Sequence, residues 1–204
     1  MDLADSLNGI GLSCSDNQLA NLQTILKQHL KWNQVFNISA HRDEESVLIY
    51  QILDSLTPHP FIREGLLLDI GTGPGFPGLP LAIFFPDTHF TLVDPNDKKL
   101  GFAKYIKSLC DLKNLTTVNK RVQDLSTKKQ FDQIISRAFT NLSGMITCSL
   151  PMLKPDGEIL AMKGARAESE IVDAESIHSN CMIQLHKLPH IVDKKRMLAV
   201  VKQR

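Results

Sequence analysis

Residues 69–78, with the sequence Asp-Ile-Gly-Thr-Gly-Pro-Gly-Phe-Pro-Gly, decide the fold of this 204-residue chain. They complete an apolar run, residues 66–70, that is typical of a buried parallel strand. They also open a segment in which Pro77 and Pro80 suit the first turn of a helix. A glycine loop between a strand and a helix lets the backbone approach a ligand, and the helix start supplies free N–H groups. The stretch therefore predicts a nucleotide-like ligand at the carboxyl end of a strand.

Strand and helix patterns alternate outward from this loop. Predicted strands cover residues 66–70, 89–93, 116–119, 133–136 and 158–163, and predicted helices cover 77–85, 98–112, 142–153 and 168–178. The stretch Lys-Pro-Asp-Gly at 154–157 carries a turn signature that is expected to end the helix before it. Residues 182–188 and 197–202 predict an antiparallel strand pair. This order predicts an α/β fold, a mostly parallel doubly wound sheet with an antiparallel C-terminal strand.

The N-terminal part has a different pattern. Residues 16–36 predict an amphipathic helix that begins at Ser15, with Gln18 completing a capping box. Residues 44–56 predict a second helix, which prolines at 58 and 60 bring to an end. We therefore predict a helical cap over residues 1–65 and a sheet domain over 66–204, joined in one compact unit.

Composition excludes several classes of protein. Hydrophobic residues make up 43% and charged residues 22% of the chain, which are ordinary values for a globular protein. The sequence contains no apolar run of the roughly 18 residues that a membrane span needs, and its acidic start lacks the basic region of a signal peptide. Four cysteines form no Cys-x-x-Cys pair, and seven histidines show no ligand spacing. These features predict a cytoplasmic protein without a metal, and nothing in them demands a dimer.

The net charge of +1 hides an asymmetry along the chain. Residues 1–65 carry four basic and eight acidic side chains, a net of −4, whereas residues 66–204 have a net of +5. Residues 98–129 hold nine basic and two acidic side chains, a net of +7. A basic region of this kind suits a phosphate backbone, although solvated helix faces explain it equally well.

Two cofactor classes fit the glycine loop. Gly73, Gly75 and Gly78 match the dinucleotide pattern G-x-G-x-x-G, which is weak evidence when it stands alone. The spacing D-x-G-x-G-x-G from Asp69 instead favours S-adenosylmethionine, because a carboxylate can order the loop or bind an ammonium group and repels a pyrophosphate. Asp94, at the end of the next strand, is placed to accept hydrogen bonds from ribose hydroxyls.

Two features of other methyltransferases, a Pro-Pro turn and a nucleophilic cysteine, help to decide which atom the chain methylates. The Pro-Pro turn of amine methyltransferases is absent, since residues 136–139 read Ser-Arg-Ala-Phe. Cys148 falls within a predicted helix, where packing explains a thiol better than nucleophilic catalysis does. Guanine N7 needs no general base, so the sequence is compatible with methylation there. Arg137 is expected to position a phosphate, a cofactor carboxylate or guanine O6, the alternative being an ion pair with a carboxylate such as Asp132.

The chain resembles the RsmG/GidB family of small-subunit ribosomal RNA guanine-N7 methyltransferases. The most specific shared piece is residues 68–82, a proline-studded loop that reads LDIGTGPGFPGLPLA. Supporting pieces lie at residues 32–33, 37–40, 52–55, 136–139, 153–157 and 162–164. The resemblance implies a Rossmann-like class I methyltransferase fold, S-adenosylmethionine as cofactor and 16S ribosomal RNA or the small ribosomal subunit as partner. It also implies cofactor contacts at Gly71, Phe76, Val122, Gln123 and Arg137.

The chain departs from the family pattern at four places. Gln51 stands where the family often has His, and Pro95 follows the second-strand aspartate where Ser is usual. Gln123 replaces an acid, which removes a charged contact but keeps the backbone N–H for adenine. Near the C-terminus, Met197 takes the place of His.

Phosphate contacts outside the cofactor loop are predicted at Lys163 and at the basic turn formed by Lys194, Lys195 and Arg196. Trp32 is interpreted as a core residue rather than a base-stacking one. Two other functions stay open at this point, a small-molecule methyltransferase and a non-catalytic nucleotide-binding module.

Overall fold

The computed structural model describes residues 2–125, 128–189, 191 and 195–204. The strands are β1 (Gly65–Ile70), β2 (Thr88–Val93), β3 (Leu115–Val118), β4 (Phe131–Arg137), β5 (Leu153–Lys163), β6 (Cys181–Lys187) and β7 (Met197–Gln203). The helices are α1 (Leu3–Gly9), α2 (Asp16–Phe36), α3 (Glu44–Val47), α4 (Asp54–Leu56), α5 (Gly78–Phe84), α6 (Asp97–Leu109), α7 (Leu142–Ser149) and α8 (Ala167–Ile177). A π-helical turn, Leu48–Leu53, joins α3 to α4.

Among the described residues, the strands form one seven-stranded sheet in the order β3-β2-β1-β4-β5-β7-β6. Strands β1 to β5 run parallel, and β7 is antiparallel to both β5 and β6. The predicted α/β fold with an antiparallel C-terminal pair is therefore confirmed. The chain turns back beside β1, which pairs with β2 on one side and β4 on the other. Such a switch point is where ligands bind in open α/β sheets.

Helices cover both faces of the sheet because successive residues of a buried strand point to opposite sides. On β1, Leu67 packs into a cluster with α2, α5 and α6, whereas Leu68 and Ile70 pack with α7 and α8. Leu22 of α2 is fully buried in the first cluster. The N-terminal helices thus share a core with the sheet, and the proposed boundary at residue 65 falls at the start of β1.

The structure differs from the sequence-based prediction in two connections. The predicted helix over 142–153 ends at Ser149, and the turn signature at 154–157 lies inside β5. In the pairing of β4 with β5, Phe131 faces Leu153 and Gln133 faces Glu158, so the four turn residues form an irregularity in a continuous strand. The short helix α1 was not predicted. It is stabilised by the Asp2 cap and by burial of Leu3 and Leu7.

No helix in the described part of the chain is long and apolar enough to cross a bilayer. The four cysteines are free thiols.

Candidate active site

The glycine loop after β1 lies at the switch point of the sheet. Gly71, Gly73 and Gly75 have φ angles of +66°, +59° and +106°, a region that glycine adopts more readily than other residues. A Cβ at Gly71 would lie 2.7 Å from the Phe139 ring, and one at Gly75 would collide with Leu79. A Cβ at Gly73 would meet no atom closer than Cδ of Lys99, at 4.0 Å. Packing therefore requires glycine at 71 and 75, whereas Gly73 borders open space.

Asp69 orders this loop from beneath. Its Oδ2 accepts hydrogen bonds from Thr72 Oγ1 at 2.6 Å and from the Gly78 N–H at 2.9 Å. The side chain is fully buried and lines neither of the cavities described below. Burial raises the pKa of this carboxyl to about 6, against the lowering effect of the two hydrogen bonds. Loop ordering is the role that these two hydrogen bonds provide, whereas the buried Oδ1 has no hydrogen-bond partner among the described residues. The predicted contact with the cofactor stays a prediction.

Asp94, at the end of β2, ties the same loop to the neighbouring strand. Its Oδ2 accepts the Gly73 N–H at 2.9 Å and its Oδ1 accepts the Asn96 N–H at 2.8 Å. Each carboxylate oxygen keeps a further lone pair, so a ribose hydroxyl can still donate to this side chain. Asp94 is 9% exposed and, like Asp69, lines neither of the cavities described below, so the ribose contact stays a prediction.

Two cavities meet at Gly71. The larger, of about 1030 Å³, lies over the loop and is lined by Gly71, Gly73, Phe76 and, on its walls, Arg137 and Lys163. The smaller, of about 220 Å³, is lined on one side by Val122 and Gln123 and on the other by Phe139. The structure thus brings most of the predicted cofactor residues to one region, divided between two cavities that share Gly71 as a lining residue.

Arg137 extends from the end of β4 into the wall of the larger cavity. One terminal nitrogen donates to the Tyr50 carbonyl at 2.6 Å and to Asp54 Oδ2 at 3.1 Å, and the other donates to Gln51 Oε1. Its guanidinium carbon lies 5.8 Å from the centre of the Phe76 ring. Burial lowers the pKa of the guanidinium, and Asp54 opposes that shift. Arg137 is thus held against both the loop and the N-terminal helices.

The alternative prediction, an ion pair between Arg137 and Asp132, is wrong. Asp132 lies at the other end of β4, where it pairs with Lys154 at 2.8 Å and accepts the Leu66 N–H at 2.8 Å. The actual ion-pair partner, Asp54, was missed. It lies within residues 52–55, which supported the family resemblance without suggesting a role for the carboxylate.

Asp54 also binds a second arginine. Nε of Arg196 lies 2.6 Å from Asp54 Oδ1, and Arg196 lines the same cavity. Two guanidinium groups thus share one carboxylate that is only 5% exposed, which leaves a net positive charge on this wall. The expectation that Arg196 forms part of an exposed basic turn is therefore corrected. Its predicted neighbour Lys195 is exposed and paired with Glu168, and Lys194 lies outside the described residues.

A π-helical turn positions this cluster. The Asp54 N–H bonds the carbonyl of Ile49, five residues back, which widens the helix by one residue. The widened turn directs the Tyr50 carbonyl and the Gln51 and Asp54 side chains at Arg137. Turns of this kind occur frequently at functional sites.

The predicted phosphate contact at Lys163 is not directly available. Its Nζ lies 2.8 Å from Glu170 Oε2 and donates to the Thr140 carbonyl at 2.7 Å. The side chain is only 9% exposed, although it lines the larger cavity as expected. The ammonium therefore joins β5 to α8, and binding a phosphate requires it to leave Glu170.

Cys148 has the packing environment that the sequence favoured. It lies on α7, half-buried against the second core cluster, and lines neither cavity. In the described part of the chain, no group of three or more potential metal ligands comes together.

Residues 18–199 match the profile of a family described as "GidB: rRNA small subunit methyltransferase G". The chain is 35% identical over 194 residues to "Ribosomal RNA small subunit methyltransferase G" of Marinomonas sp. (strain MWYL1), covering 95% of this chain and 93% of that one. It is 35% identical over 198 residues to the protein of the same name from Yersinia enterocolitica, covering 96% and 95%.

Solved structures with the same fold are more distant in sequence. P. horikoshii TYW2 in complex with MeSAdo gives a TM-score of 0.61 at 12% identity, covering 74% of this chain and 61% of that one. A ribosomal protein L11 methylase from Lactobacillus delbrueckii gives 0.59 at 16% identity, covering 79% and 80%. At these identities the likeness supports the class I methyltransferase fold alone.

Proposed function

Because the chain belongs to the GidB family of small-subunit rRNA methyltransferases, we propose that it methylates N7 of one guanine in 16S ribosomal RNA. S-adenosylmethionine is the methyl donor. The observation that carries the proposal is the D-x-G-x-G-x-G loop facing a cavity of about 1030 Å³ at the switch point of the sheet. The small-molecule alternative lacks any comparable support from the curated relatives.

The residues around the loop fit S-adenosylmethionine. Open space at Gly73, combined with its φ of +59°, suits close approach of the cofactor to the backbone. Asp94 suits the ribose hydroxyls, and the cavity beside Val122 and Gln123 suits the adenine ring. Asp69 holds the loop in the conformation that these contacts require.

The proposed reaction depends on positioning. Bound S-adenosylmethionine supplies a methyl group on a positively charged sulfonium, and guanine N7 presents an in-plane lone pair that carries no proton. The protein therefore needs no general base, and its contribution is to align the two reactants and exclude water. We assign Arg137 a positioning role, because a cation directly beside a purine that becomes cationic would oppose the transfer.

The proposed setting follows from the substrate. The RNA partner is 16S rRNA or the small subunit, and we place the enzyme in the cytoplasm, where it acts as a monomer without a metal ion. The basic excess of residues 66–204 supports this partner, since it offers counter-charges to a phosphate backbone.

Mass spectrometry of nucleosides from 16S rRNA tests the proposal. A strain that lacks this protein should lose one 7-methylguanosine per 16S rRNA, and a plasmid copy of the wild-type chain should restore it. An unchanged 7-methylguanosine content in the deletion strain would contradict the assignment of both substrate and atom.

A further inference from the structure

A group of aromatic side chains lies on the surface where α2 ends against α6. Phe36 and Tyr105 are 46% and 39% exposed, and the half-buried Trp32 lies between them. The Trp32 and Tyr105 rings are stacked, with centroids 5.6 Å apart and planes at 29°, and the Trp32 and Phe36 centroids are 5.0 Å apart. We call Trp32, Phe36 and Tyr105 the aromatic surface. Exposed rings arranged in this way mark a binding site more often than scattered apolar side chains do.

The aromatic surface is held rigidly from below. Trp32 contacts the buried Phe102 edge-to-face, with centroids 5.7 Å apart. Its ring backs onto Gly101, where a Cβ would lie 3.6 Å from Trp32 Cζ3. Rings that are already fixed lose little conformational entropy when a ligand stacks on them.

Two segments of the chain lead from the larger cavity toward the aromatic surface. Helix α6 begins beside the glycine loop, where Lys99 lines the cavity, and Tyr105 lies further along the same helix. On the other side, the chain after Phe36 leaves α2 at Asn37, and residues 38–41 line the opposite wall of the cavity. The cavity and the aromatic rings thus share the elements that carry them, α6 on one side and the chain after α2 on the other.

Positive charge accompanies the rings along this path. Lys98 lies seven residues before Tyr105, so the two share one face of α6. Within the described residues, Lys98 is exposed and has no ion-pair partner; the nearby acid Asp97 is paired with Lys104 at 3.1 Å. Arg42, beyond Asn37, donates to the neutral Asn37 amide oxygen at 2.7 Å, but three exposed acidic residues follow it at 43–45, so the positive charge beside the rings rests on Lys98.

We propose that the aromatic surface binds unpaired nucleotides next to the target guanine, with bases stacked on Phe36 and Tyr105 and a phosphate at Lys98. Rings combined with an unpaired lysine suit single-stranded RNA, whereas lysine is depleted at protein–protein interfaces. The proposal rests on the RNA methyltransferase function and deepens it, because it names the part of the surface that holds the substrate beside the cofactor.

Steady-state kinetics with Phe36→Ala and Tyr105→Ala test the proposal. Each variant should raise KM for the small-subunit substrate about tenfold, the effect of losing one stacked base. The kcat at saturating RNA and the affinity for S-adenosylmethionine should stay within twofold of wild type, since neither ring lines the cavity. Val172→Ala and Ile177→Ala on α8 are matched controls, because these side chains are 68% and 65% exposed and lie on another helix.

Trp32 provides a second readout, because it is the single tryptophan of the chain. Titration with protein-free 16S rRNA transcript should quench its fluorescence, whereas S-adenosylmethionine alone should leave it nearly unchanged. The double variant Phe36→Ala/Tyr105→Ala should need about a hundredfold more RNA for the same quenching if the two stacks are independent.

Four outcomes would overturn the proposal. Wild-type KM values in both alanine variants, or tryptophan fluorescence that RNA leaves unchanged, would remove the stacking surface. Weakened binding to intact small subunits with unchanged binding to the transcript would identify a ribosomal protein as the occupant. A concentration-dependent dimer that Phe36→Ala dissociates would identify a second copy. Failure of the proposed function is distinct, because the wild-type chain would then form no 7-methylguanosine on any substrate.

Discussion

Among the glycines of the loop, Gly73 is the one whose lack of a side chain is explained by ligand binding and not by packing. A side chain at Gly71 or Gly75 would meet Phe139 or Leu79, whereas one at Gly73 would extend into free space. The neighbouring glycines thus shape the loop, and Gly73 keeps the path to the cofactor open. This contrast makes it the best single position at which to test the cofactor site.

Gly73→Val should abolish measurable binding of S-adenosylmethionine in calorimetry while the protein stays folded. The added side chain fills the space over the loop, and the left-handed backbone costs about 1–2 kcal/mol of stability. Gly11→Val is the matched control, because Gly11 has a φ of +80° and no atom within 4 Å of a Cβ, away from both cavities at the loop. Unchanged affinity in Gly73→Val would refute the cofactor placement, and tighter binding of NAD than of S-adenosylmethionine by the wild type would favour a dinucleotide module.

Asp54 is an example of an ion-pair partner that a single sequence does not predict. The sequence marked Arg137 for its place after a strand, and Arg196 for its place in a basic turn. Neither pattern says that both meet one carboxylate from the N-terminal helices. That meeting depends on how the N-terminal helices pack against the rest of the fold, and contacts between distant parts of the chain leave no local periodicity to read.

Regular helices and strands could be predicted from the sequence, because their hydrophobic periodicity and caps are local. The π-helical turn and the irregularity in β5 could not. Alternation of apolar strands with amphipathic helices predicted the sheet, and the Ser15 capping box predicted the start of α2. The π-helical turn has the same apolar stripe as an α-helix, so periodicity alone does not distinguish them. The prediction of a turn at 154–157 is wrong, because a strand irregularity and a loop use the same residue types.

Helix α2 and strand β1 carry two buried titratable groups with opposite effects on stability. His29 of α2 packs between Phe76 and Phe102, and burial lowers its pKa from 6.5 to about 4. As pH falls from about 6.5 to 4, the unfolded state gains a proton that the folded state refuses, so His29 makes the protein less stable. Asp69, with its pKa raised to about 6, takes up its proton first in the folded state, so the same fall in pH makes the protein more stable.

Replacing one of the two side chains should therefore leave the other to determine how the free energy of unfolding changes between pH 7 and pH 4. In His29→Leu, the free energy of unfolding relative to wild type should rise by about 3 kcal/mol between pH 7 and pH 4, because a shift of one pKa unit corresponds to about 1.4 kcal/mol. In Asp69→Asn, the change relative to wild type should have a similar size and the opposite sign. Urea unfolding at pH 4, 5, 6 and 7 measures both differences. Parallel pH profiles for wild type and His29→Leu would show that His29 is not held neutral by burial.

For the whole molecule, the near-zero net charge is an average over two unlike parts. Residues 1–65 have a net of −4, and residues 66–204 have a net of +5. The basic excess includes α6, which begins at Asp97 after β2 and carries Tyr105 of the aromatic surface. This helix, residues 97–109, holds four lysines and one acidic residue, a net of +3.

Salt dependence of RNA binding connects this charge distribution with function. The dissociation constant for a 16S rRNA transcript should rise steeply with salt, because each neutralised phosphate of a single strand contributes a slope of about 0.7 in log Kd against log salt. Lys98→Gln should reduce that slope by about 0.7, since Lys98 is exposed and, among the described residues, has no ion-pair partner. Lys113→Gln is the matched control, because Lys113 lies beyond the end of α6 and is paired with Asp111. A salt-independent Kd would remove the argument from charge altogether. Equal slopes for Lys98→Gln and wild type would move the phosphate contacts away from α6 and leave the aromatic surface without its electrostatic support.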